Sequence, residues 1–208
     1  MAKANAPKQA GSSDVEDVRI ERTRMRLFEA VLEMAREGDI TTASVAELTR
    51  RAGINRGTFY AHAGSPVQLL TKVLSQELDE VRRQTAIRME SDGLLLRDLS
   101  QETLEQIVDH VVRHEQVYDS PDRASSMYAL RVVLAEHVEQ SVLSVLDGGF
   151  ARSPLKGEAA TAMQAAFLAH GVAAAVEVWL HIAKPRDRSQ LSEAVASMYP
   201  AWYAPAAR

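Results

Sequence analysis

The chain has 208 residues, of which 46% are hydrophobic and 25% are charged, as in an ordinary globular protein of one large or two small domains. It contains no cysteine, which excludes disulfides, thiol redox chemistry and thiolate metal sites. The net charge of −4 shows that the protein as a whole is not basic. Residues 1–64 carry 10 Lys and Arg against 9 Asp and Glu, so the excess of acidic residues lies in the rest of the chain.

The N-terminus predicts an arm followed by a long helix. Residues 1–13 are small, polar and contain Pro and Gly, which is typical of a disordered arm. They hold no apolar run long enough for a signal peptide, and a cytoplasmic location is expected. Ser13 precedes a glutamate by three residues and predicts a helix cap. An apolar stripe containing Leu27 and Val31 then continues the helix to Gly38.

Residues 44–70 contain the strongest local signals in the chain. Ser44 is followed three residues later by a glutamate, a capping box that predicts a helix start. Gly53 predicts a left-handed cap at the end of that helix. Asn55 is a good N-cap for a second short helix over residues 56–62. Two short helices joined by a tight glycine turn predict a helix-turn-helix.

A third helix is predicted directly after this motif, and arginines are clustered before it. Ser65, Pro66 and Gln68 form an N-cap, a first-turn proline and a capping-box glutamine. Before the motif, two interpretations of the arginines stay open, contact with a phosphate backbone or solvated pairs with nearby carboxylates. These side chains are Arg19, Arg22, Arg24 and Arg26.

The stretch AELTRRAGINRGTFYAH resembles the DNA-binding signature of the tetracycline-repressor-type (TetR-type) transcriptional regulators. The resemblance covers residues 24–70. It implies a short recognition helix in the major groove, a helical effector domain and a two-fold homodimer. Three features depart from the family pattern: Ala63 replaces the usual aromatic, Pro66 stands near the usual lysine, and the loop at residues 39–43 lacks the common aromatic and is one residue longer than is usual for the family.

The resemblance and the side-chain chemistry together predict the DNA contacts. Hydroxyl and ring N–H groups suit phosphates, which fix the register of the protein on the duplex. The expected phosphate contacts are Thr42, Ser44, Tyr60 and His62. Arginine suits guanine and a threonine methyl suits thymine. The expected base-reading residues are Arg56, Thr58 and Asn55, with Gly57 allowing close approach of the backbone.

The rest of the chain predicts further helices and no strands. No segment alternates apolar and polar residues with period two, so the expected fold is all-α with about nine helices. The predicted domains are a helix-turn-helix domain at 14–65 and a helical effector-binding and dimerisation domain at 66–208. The helices expected in the second domain cover 66–89, 101–115, about 122–146, 159–183 and 191–200, with a loop at 147–157.

The segment at 159–183 is apolar on nearly every side. Its length approaches that of a membrane span, but Gln164, His170 and Glu177 interrupt it and much of it is alanine, so no membrane is expected. A helix of this kind in a soluble protein is buried on all sides. This segment and the last helix are therefore expected to form the subunit interface of a homodimer. The expected interface residues are Ala162, Ala166, Ala169, Ala173, Val195, Met198 and Trp202.

Several aromatic, methionine and histidine side chains suit an effector cavity. His110 and His114 lie four apart, as metal ligands would, but the sequence suggests no third ligand. Polar lining or surface positions are favoured for both, and no metal or other cofactor is predicted. The candidate effector residues are His110, His114, Tyr118, Met127, Tyr128, Met163, Phe167, His170 and Trp179. For each of these residues taken alone, core packing is the favoured interpretation.

These features predict a sequence-specific DNA-binding repressor that a small-molecule effector releases from a palindromic operator. No catalytic signature is present, because the sequence contains no glycine-rich phosphate loop, zinc-protease motif or nucleophile elbow. Two alternatives stay open. A helical small-molecule-binding or scaffold protein without DNA binding is suggested by Ala63 and Pro66, and a helical enzyme has less support.

Overall fold

The computed structural model describes residues 10–91, 95–118 and 124–203, with side chains described for 18–91, 95–118 and 131–203. These residues form nine helices and no strand, which confirms the all-α prediction. The helices are α1 (Ala10–Glu37), α2 (Val45–Ala52), α3 (Arg56–Tyr60), α4 (Pro66–Ser91), α5 (Leu96–Arg113), α6 (Glu115–Tyr118), α7 (Ala124–Asp147), α8 (Glu158–Leu180) and α9 (Arg188–Met198).

The chain divides into two compact units, Met1–Leu70 and Thr71–Arg208. The division lies inside α4 rather than immediately before Pro66, because the first turns of this helix bury Leu69 and Leu70. A helix that begins in one unit and continues into the other is a covalent connection between them. The domain boundary predicted at 65/66 stays a prediction.

The first helix begins earlier than the sequence predicted. It starts at Ala10, so Ser13 lies inside α1 instead of capping it, and residues 10–13 are not part of an arm. Residues 1–9 of the predicted arm lie outside the described part of the chain. Alanine is the best helix former and serine is only mildly unfavourable, so a possible cap does not by itself fix where a helix starts.

The N-terminal unit is built around a small apolar core with a well-defined turn. Leu27, Leu48 and Phe59 are fully buried and belong to α1, α2 and α3. Gly53 adopts φ +64° after α2, as predicted, and its N–H donates to the Arg50 carbonyl at 3.3 Å. The next N–H, that of residue 54, reaches the Thr49 carbonyl at 3.0 Å. This pair of bonds is a Schellman ending, which favours glycine at the left-handed position.

The C-terminal unit is a helical bundle in which α7 and α8 pack along each other. α9 packs on α8 and on α5, and the short α6 packs on α7. α5 begins at Leu96 instead of about Gln101, and Leu99 in its first turn is buried. The loop predicted at 147–157 is present between α7 and α8.

The apolar helix α8 is buried on one side only. Leu168, Val172 and Val176 are buried inside the protomer, whereas Phe167 and Val178 on another face are exposed. By length and composition, α8 is long and apolar enough to cross a membrane. Its packing against α7 and α9 is that of a core helix, and its uncovered apolar side is a separate feature of the surface.

Candidate functional site

The recognition-helix candidate α3 is short and is held by one cap and one buried ring. The Asn55 Oδ1 atom accepts from the Thr58 backbone N–H at 2.8 Å and from the Thr58 hydroxyl at 3.1 Å. Phe59 is 0% exposed and anchors the helix in the core. The neighbouring Tyr60 is 58% exposed, with its ring 5.3 Å from that of Phe59 in an edge contact. A helix of five residues is not stable alone, so its order depends on these contacts.

The structure brings all the predicted DNA-contact residues into the N-terminal unit. The exposed ones are Thr42, Ser44, Asn55, Arg56, Gly57 and Tyr60, and Thr58 and His62 are half-buried. Besides Asn55 and Thr58, which are bonded to each other, two more of these residues have structural partners. The Ser44 Oγ atom accepts from the Glu47 N–H at 3.1 Å, and the Thr42 hydroxyl donates to the Asp39 carbonyl at 2.9 Å. The surface thus combines side chains that are committed to caps with outward-facing groups beside them.

The two arginines of α2 are held in ion pairs with carboxylates of the same unit. Arg50 and Arg51 both form ion pairs with Glu47, at 2.6 and 2.8 Å. Arg51 also pairs with Glu37 at 2.7 Å. Hydrogen bonds from Arg50 and then Arg51 lower the pKa of Glu47 to about 2, so the carboxylate stays charged at neutral pH. The Glu47 carboxylate therefore bonds to arginines one turn later in α2. Only half of the predicted capping box is formed, the bond from the Glu47 N–H to Ser44 Oγ.

The arginines of α1 have two kinds of surroundings. Arg24 pairs with Glu21 on its own helix, as a solvated ion pair would. The other three lie on one side of a surface cleft whose opposite side is the turn before α3 and its first residues. The cleft is lined by Arg19, Arg22, Thr23, Arg26, Gly53, Ile54, Asn55 and Thr58. A polyanion lying in this cleft would meet three guanidinium groups next to α3.

Three of the predicted effector residues form a buried polar cluster around Glu77 of α4. Glu77 Oε2 lies 3.0 Å from His110 Nδ1 and 2.9 Å from His114 Nε2. His110 Nε2 lies 2.9 Å from the Tyr118 hydroxyl. Both histidines are buried, so of the two positions left open by the sequence, polar lining or surface, the surface one does not apply. Glu77 was missed because it is on another helix, where nothing local marks it.

The charges in this cluster are set by burial and by the contacts. Burial acts to raise the pKa of Glu77, but hydrogen bonds from His110 and His114 outweigh it and hold that pKa far below its usual range. Burial lowers the pKa of His110, with Glu77 opposing the shift. Burial raises the pKa of Tyr118 well above its ordinary value. At neutral pH, an ionised carboxylate therefore faces a neutral imidazole and a neutral phenol.

A separate, partly open cavity of the C-terminal unit has a largely apolar lining from α4, α5, α7, α8 and residues 199–203. It encloses about 50 Å³ of free space, room for a few water-sized groups. Its polar members are Arg82, Thr85, Ser100, Thr103, Ser141, Ser144, Tyr199 and Tyr203. Burial raises the pKa of Tyr199 to about 12, so its phenol stays neutral. None of the predicted effector residues with a described side chain lines this cavity.

Those of the remaining predicted effector residues whose side chains are described are not gathered in one site. Met163 is 67% exposed and Phe167 is 78% exposed, and His170 is also exposed on α8. Trp179 is buried, and its indole N–H donates to the Asp187 carbonyl at 3.0 Å, so it serves the packing of the α8–α9 corner. The side chains of Met127 and Tyr128 lie outside the described residues. Apolar and aromatic residue types alone did not distinguish a cavity wall from an outer surface.

The expected dimer residues of α8 and α9 are split between the core and the surface. Ala169, Ala173 and Val195 are buried inside the protomer, which corrects their assignment to a subunit interface. Ala162 and Met198 are exposed, and Ala166 and Trp202 are half-buried. Small size does not reveal which side of a helix an alanine occupies. The exposed large apolar residues in this region are Met163, Phe167, Val178, Ile182 and Met198.

A helix-turn-helix unit followed by a helical bundle is the fold of the TetR-family transcriptional regulators. The chain is similar to FadR of Thermus thermophilus, a TetR-family repressor solved with lauroyl-CoA, at 18% identity over 89% of this chain and 99% of that one, with a TM-score of 0.60. It is also similar to RolR solved with resorcinol, at 19% identity over 88% and 89% of the two chains, TM-score 0.54.

A third similar structure is a putative TetR-family regulator from Syntrophomonas wolfei, at 14% identity over 85% of this chain and 92% of that chain, with a TM-score of 0.59. No family model and no curated protein sequence matches the chain. The likeness therefore lies in the fold, which extends over nearly the whole length of each of these proteins.

Proposed function

We propose that this protein is a dimeric, cytoplasmic DNA-binding repressor that a small organic effector releases from a palindromic operator. The observation that carries the proposal is the surface around α3. Arg56, Gly57 and Tyr60 face outward from a helix that Asn55 and Phe59 hold in place. Such an arrangement keeps the backbone fixed while the outward side chains meet a ligand. The TetR-type fold supports DNA as that ligand.

Base reading and phosphate contact are assigned to different residues. The exposed guanidinium of Arg56 suits two-point recognition of guanine in the major groove. Tyr60 offers one hydroxyl at the end of the helix, which suits a phosphate. Arg19, Arg22 and Arg26 beside α3 supply further positive charge for the backbone of the duplex. Sequence preference is therefore concentrated in few residues, and general affinity is spread over more.

The exposed apolar side of α8 supports a homodimer. Phe167 and Met163 stand largely in solvent on the same helix whose other side is core, and Met198 of α9 is exposed as well. A surface groove in the same region is lined by Gly171, Ala174, Ala175, Val178, Trp179, Ile182, Gln190, Leu191, Ala194 and Met198. Apolar surface of this kind is typical of subunit interfaces. The short residues in the groove would let a partner's helix approach closely.

The partly open cavity of the C-terminal unit supports a compact apolar effector. FadR of Thermus thermophilus is solved with lauroyl-CoA and RolR with resorcinol, an aromatic diol. The space here is about 50 Å³, so even a small aromatic would have to part the lining helices. Among those helices is α4, which continues into the N-terminal unit. An effector that binds the widened form better would shift the population toward that form, and DNA and effector would then weaken each other's binding.

Substitution of Arg56 tests the DNA-binding proposal. Arg56→Ala should relax preference at one base pair of each half-site, at a cost of about 1–3 kcal/mol per site. Tyr60→Phe should weaken specific and scrambled duplexes together, because a phosphate contact carries no sequence information. Gel-shift titrations with the promoter of the protein's own gene and with a scrambled duplex make the measurement. Equal losses on both duplexes for Arg56→Ala would contradict base reading, and no binding by the wild type would favour a helical ligand-binding protein instead.

Charge placed on the exposed side of α8 tests the dimer. Phe167→Glu should yield folded monomers, because a carboxylate buried between subunits is strongly unfavourable. Gln140→Glu, the same change of charge at an exposed position of α7, is the matched control and should leave the dimer intact. Light scattering gives the mass and circular dichroism the helix content. A folded Phe167→Glu dimer would place the interface elsewhere.

A further inference from the structure

The cluster of Glu77, His110 and His114 has the composition and spacing of a metal site. The last turn of α5, which holds His110, and its C-cap residue His114 place the two imidazoles on one side, with ring centroids 4.8 Å apart. α4 supplies the carboxylate. One ligand atom from each of the three side chains can be chosen so that all lie within 4.8 Å of one another. Because the three come from two helices, their convergence is a property of the fold and not of one helical repeat.

The donor set is one that zinc and similar ions accept. Imidazole nitrogens and carboxylate oxygens bind Zn²⁺ at about 2.0–2.2 Å, so donors around one ion lie roughly 3–3.5 Å apart. The two carboxylate–imidazole distances, 3.0 and 2.9 Å, are close to that separation. The two imidazole nitrogens are held only to within 4.8 Å of each other, so the rings would have to turn toward a common point to surround an ion. Two histidines and one carboxylate leave a fourth position of a tetrahedron for water or another small ligand.

We propose that Glu77, His110 and His114 bind one divalent first-row transition-metal ion, for which Zn²⁺ is the test ion. The proposal is independent of DNA binding. In the metal-bound form, Glu77 Oε2, His110 Nδ1 and His114 Nε2 are the ligand atoms. The ion joins α4 to the C-terminal end of α5, both within the C-terminal unit at these residues.

Tyr118 supports His110 from the outer side of the site. A metal-bound histidine commonly donates its second ring N–H to a fixed acceptor, which sets the tautomer and the ring orientation. Metal at Nδ1 requires the proton of His110 on Nε2, and the Tyr118 oxygen lies 2.9 Å from that atom. The buried phenol oxygen can accept this hydrogen bond. Before an ion binds, the ionised Glu77 can only accept, so the His110 proton lies on Nδ1 and the Tyr118 hydroxyl donates to Nε2. Metal binding therefore moves the His110 proton to Nε2 and reverses the direction of this hydrogen bond.

The ligands also have the protonation states that a metal needs. Bound carboxylates must be ionised and bound imidazoles must offer a lone pair. Hydrogen bonds hold Glu77 in its charged form, and burial lowers the pKa of His110, which disfavours a second proton on its ring. The Arg113 guanidinium also reaches Glu77 Oε2, at 3.1 Å, but its side chain is largely exposed and is free to turn into solvent when an ion arrives.

Metal binding by the full-length, tag-free protein tests the proposal. Zn²⁺ is titrated against a chromophoric chelator, and the expected result is one tightly bound ion per chain. Glu77→Gln, His110→Gln and His114→Gln should each weaken binding by more than the roughly 10–100-fold that loss of an outer partner costs, and Tyr118→Phe should fall within that range. His181→Gln, which removes an exposed histidine from the end of α8, is the matched control and should bind as the wild type does.

A second measurement needs no variant and so does not depend on whether a variant folds. X-ray absorption of the wild-type zinc complex should show two imidazoles in the coordination shell. Thermal unfolding of the wild type should shift upward with added Zn²⁺, because an ion that binds only the folded state stabilises it. The proposal is overturned if the wild type binds no Zn²⁺ at micromolar concentration, if the shell contains oxygen alone, or if a folded Glu77→Gln, His114→Gln double variant binds as tightly as wild type.

Discussion

The two compact units hold their polar groups in different ways. In the N-terminal unit, the bonds that fix the helix ends join residues three apart, as between Ser44 Oγ and the Glu47 N–H. In the C-terminal unit, Glu77 bonds to His110 and His114, which lie 33 and 37 positions away. The first unit is thus a scaffold with a simple apolar core and polar groups directed outward. The second keeps titratable groups in its interior, where a ligand or a proton can act on packing.

The largest expected effect comes from removing the one aromatic side chain at the centre of the N-terminal core. Phe59→Ala should cost about 3–5 kcal/mol of unfolding free energy, because a fully buried ring leaves a cavity. Native-state hydrogen exchange shows which helices lose stability. Amides of α1 to α3 should lose protection while those of α8 keep theirs. Tyr60→Ala, an exposed neighbour, is the control and should change protection little. Equal losses in both units would show that they do not unfold separately.

An intermediate effect is expected from a buried histidine in the C-terminal unit. His137 is 4% exposed, and neither ring nitrogen has a hydrogen-bond partner among the described residues. Burial, with smaller effects of Arg82 and His110, lowers its pKa to about 4, against about 6.5 in the unfolded chain. The unfolded chain therefore takes up a proton that the folded protein does not. Stability is full above pH 6.5 and falls as the pH drops toward 4.

Substituting this histidine should flatten the pH profile. The wild type should lose about 2 kcal/mol from this group between pH 7 and pH 5, and His137→Leu should not. At pH 7 the leucine variant should be at least as stable, because it removes unpaired buried polar atoms. Urea denaturation at each pH, with a chelator present, makes the measurement. His181→Gln, at an exposed position, should follow the wild type, and an unchanged slope for His137→Leu would assign the pH dependence to other groups.

The smallest effect concerns the turn between α2 and α3. Gly53 has φ +64°, and a Cβ there would meet nothing within 4 Å, so only backbone strain opposes alanine. Gly53→Ala should cost about 1–2 kcal/mol. Gly38→Ala is the matched control, since it also has open space but no positive φ, and it should be neutral or slightly stabilising. Chemical denaturation of both variants decides it, and equal costs would mean that strain at the turn is not the cause.

Local signals explain which parts of the fold could be predicted. Ser44, Gly53 and Asn55 act on atoms within a few positions of themselves, so residue type and spacing were enough to define the helix-turn-helix. The overall helical class followed in the same way from periodicity. The start of α1 at Ala10 was missed because a strong helix former needs no marked cap.

Long-range packing explains what could not be predicted. Phe59 and Phe167 are the same residue type on helices of the same protein, yet one is fully buried and the other is 78% exposed. On α8, alanines occur on both sides, so the sequence had no stripe that would separate core from surface. Glu77 joined His110 only through the packing of two helices. Residue type identified some of the side chains of the buried cluster, but which side chains they contact depended on tertiary structure.

The Asn55 amide also couples the substitutions that positions 55, 57 and 58 can accept. Its oxygen serves both the N–H and the hydroxyl of Thr58, and a Cβ on Gly57 would come within 3.2 Å of the same atom. A larger residue at 57 would press on the cap, and a shorter cap would leave the Thr58 groups without an acceptor. Among descendants of this sequence, we therefore expect the three positions to change in concert, so that a new operator preference arises through coordinated replacements.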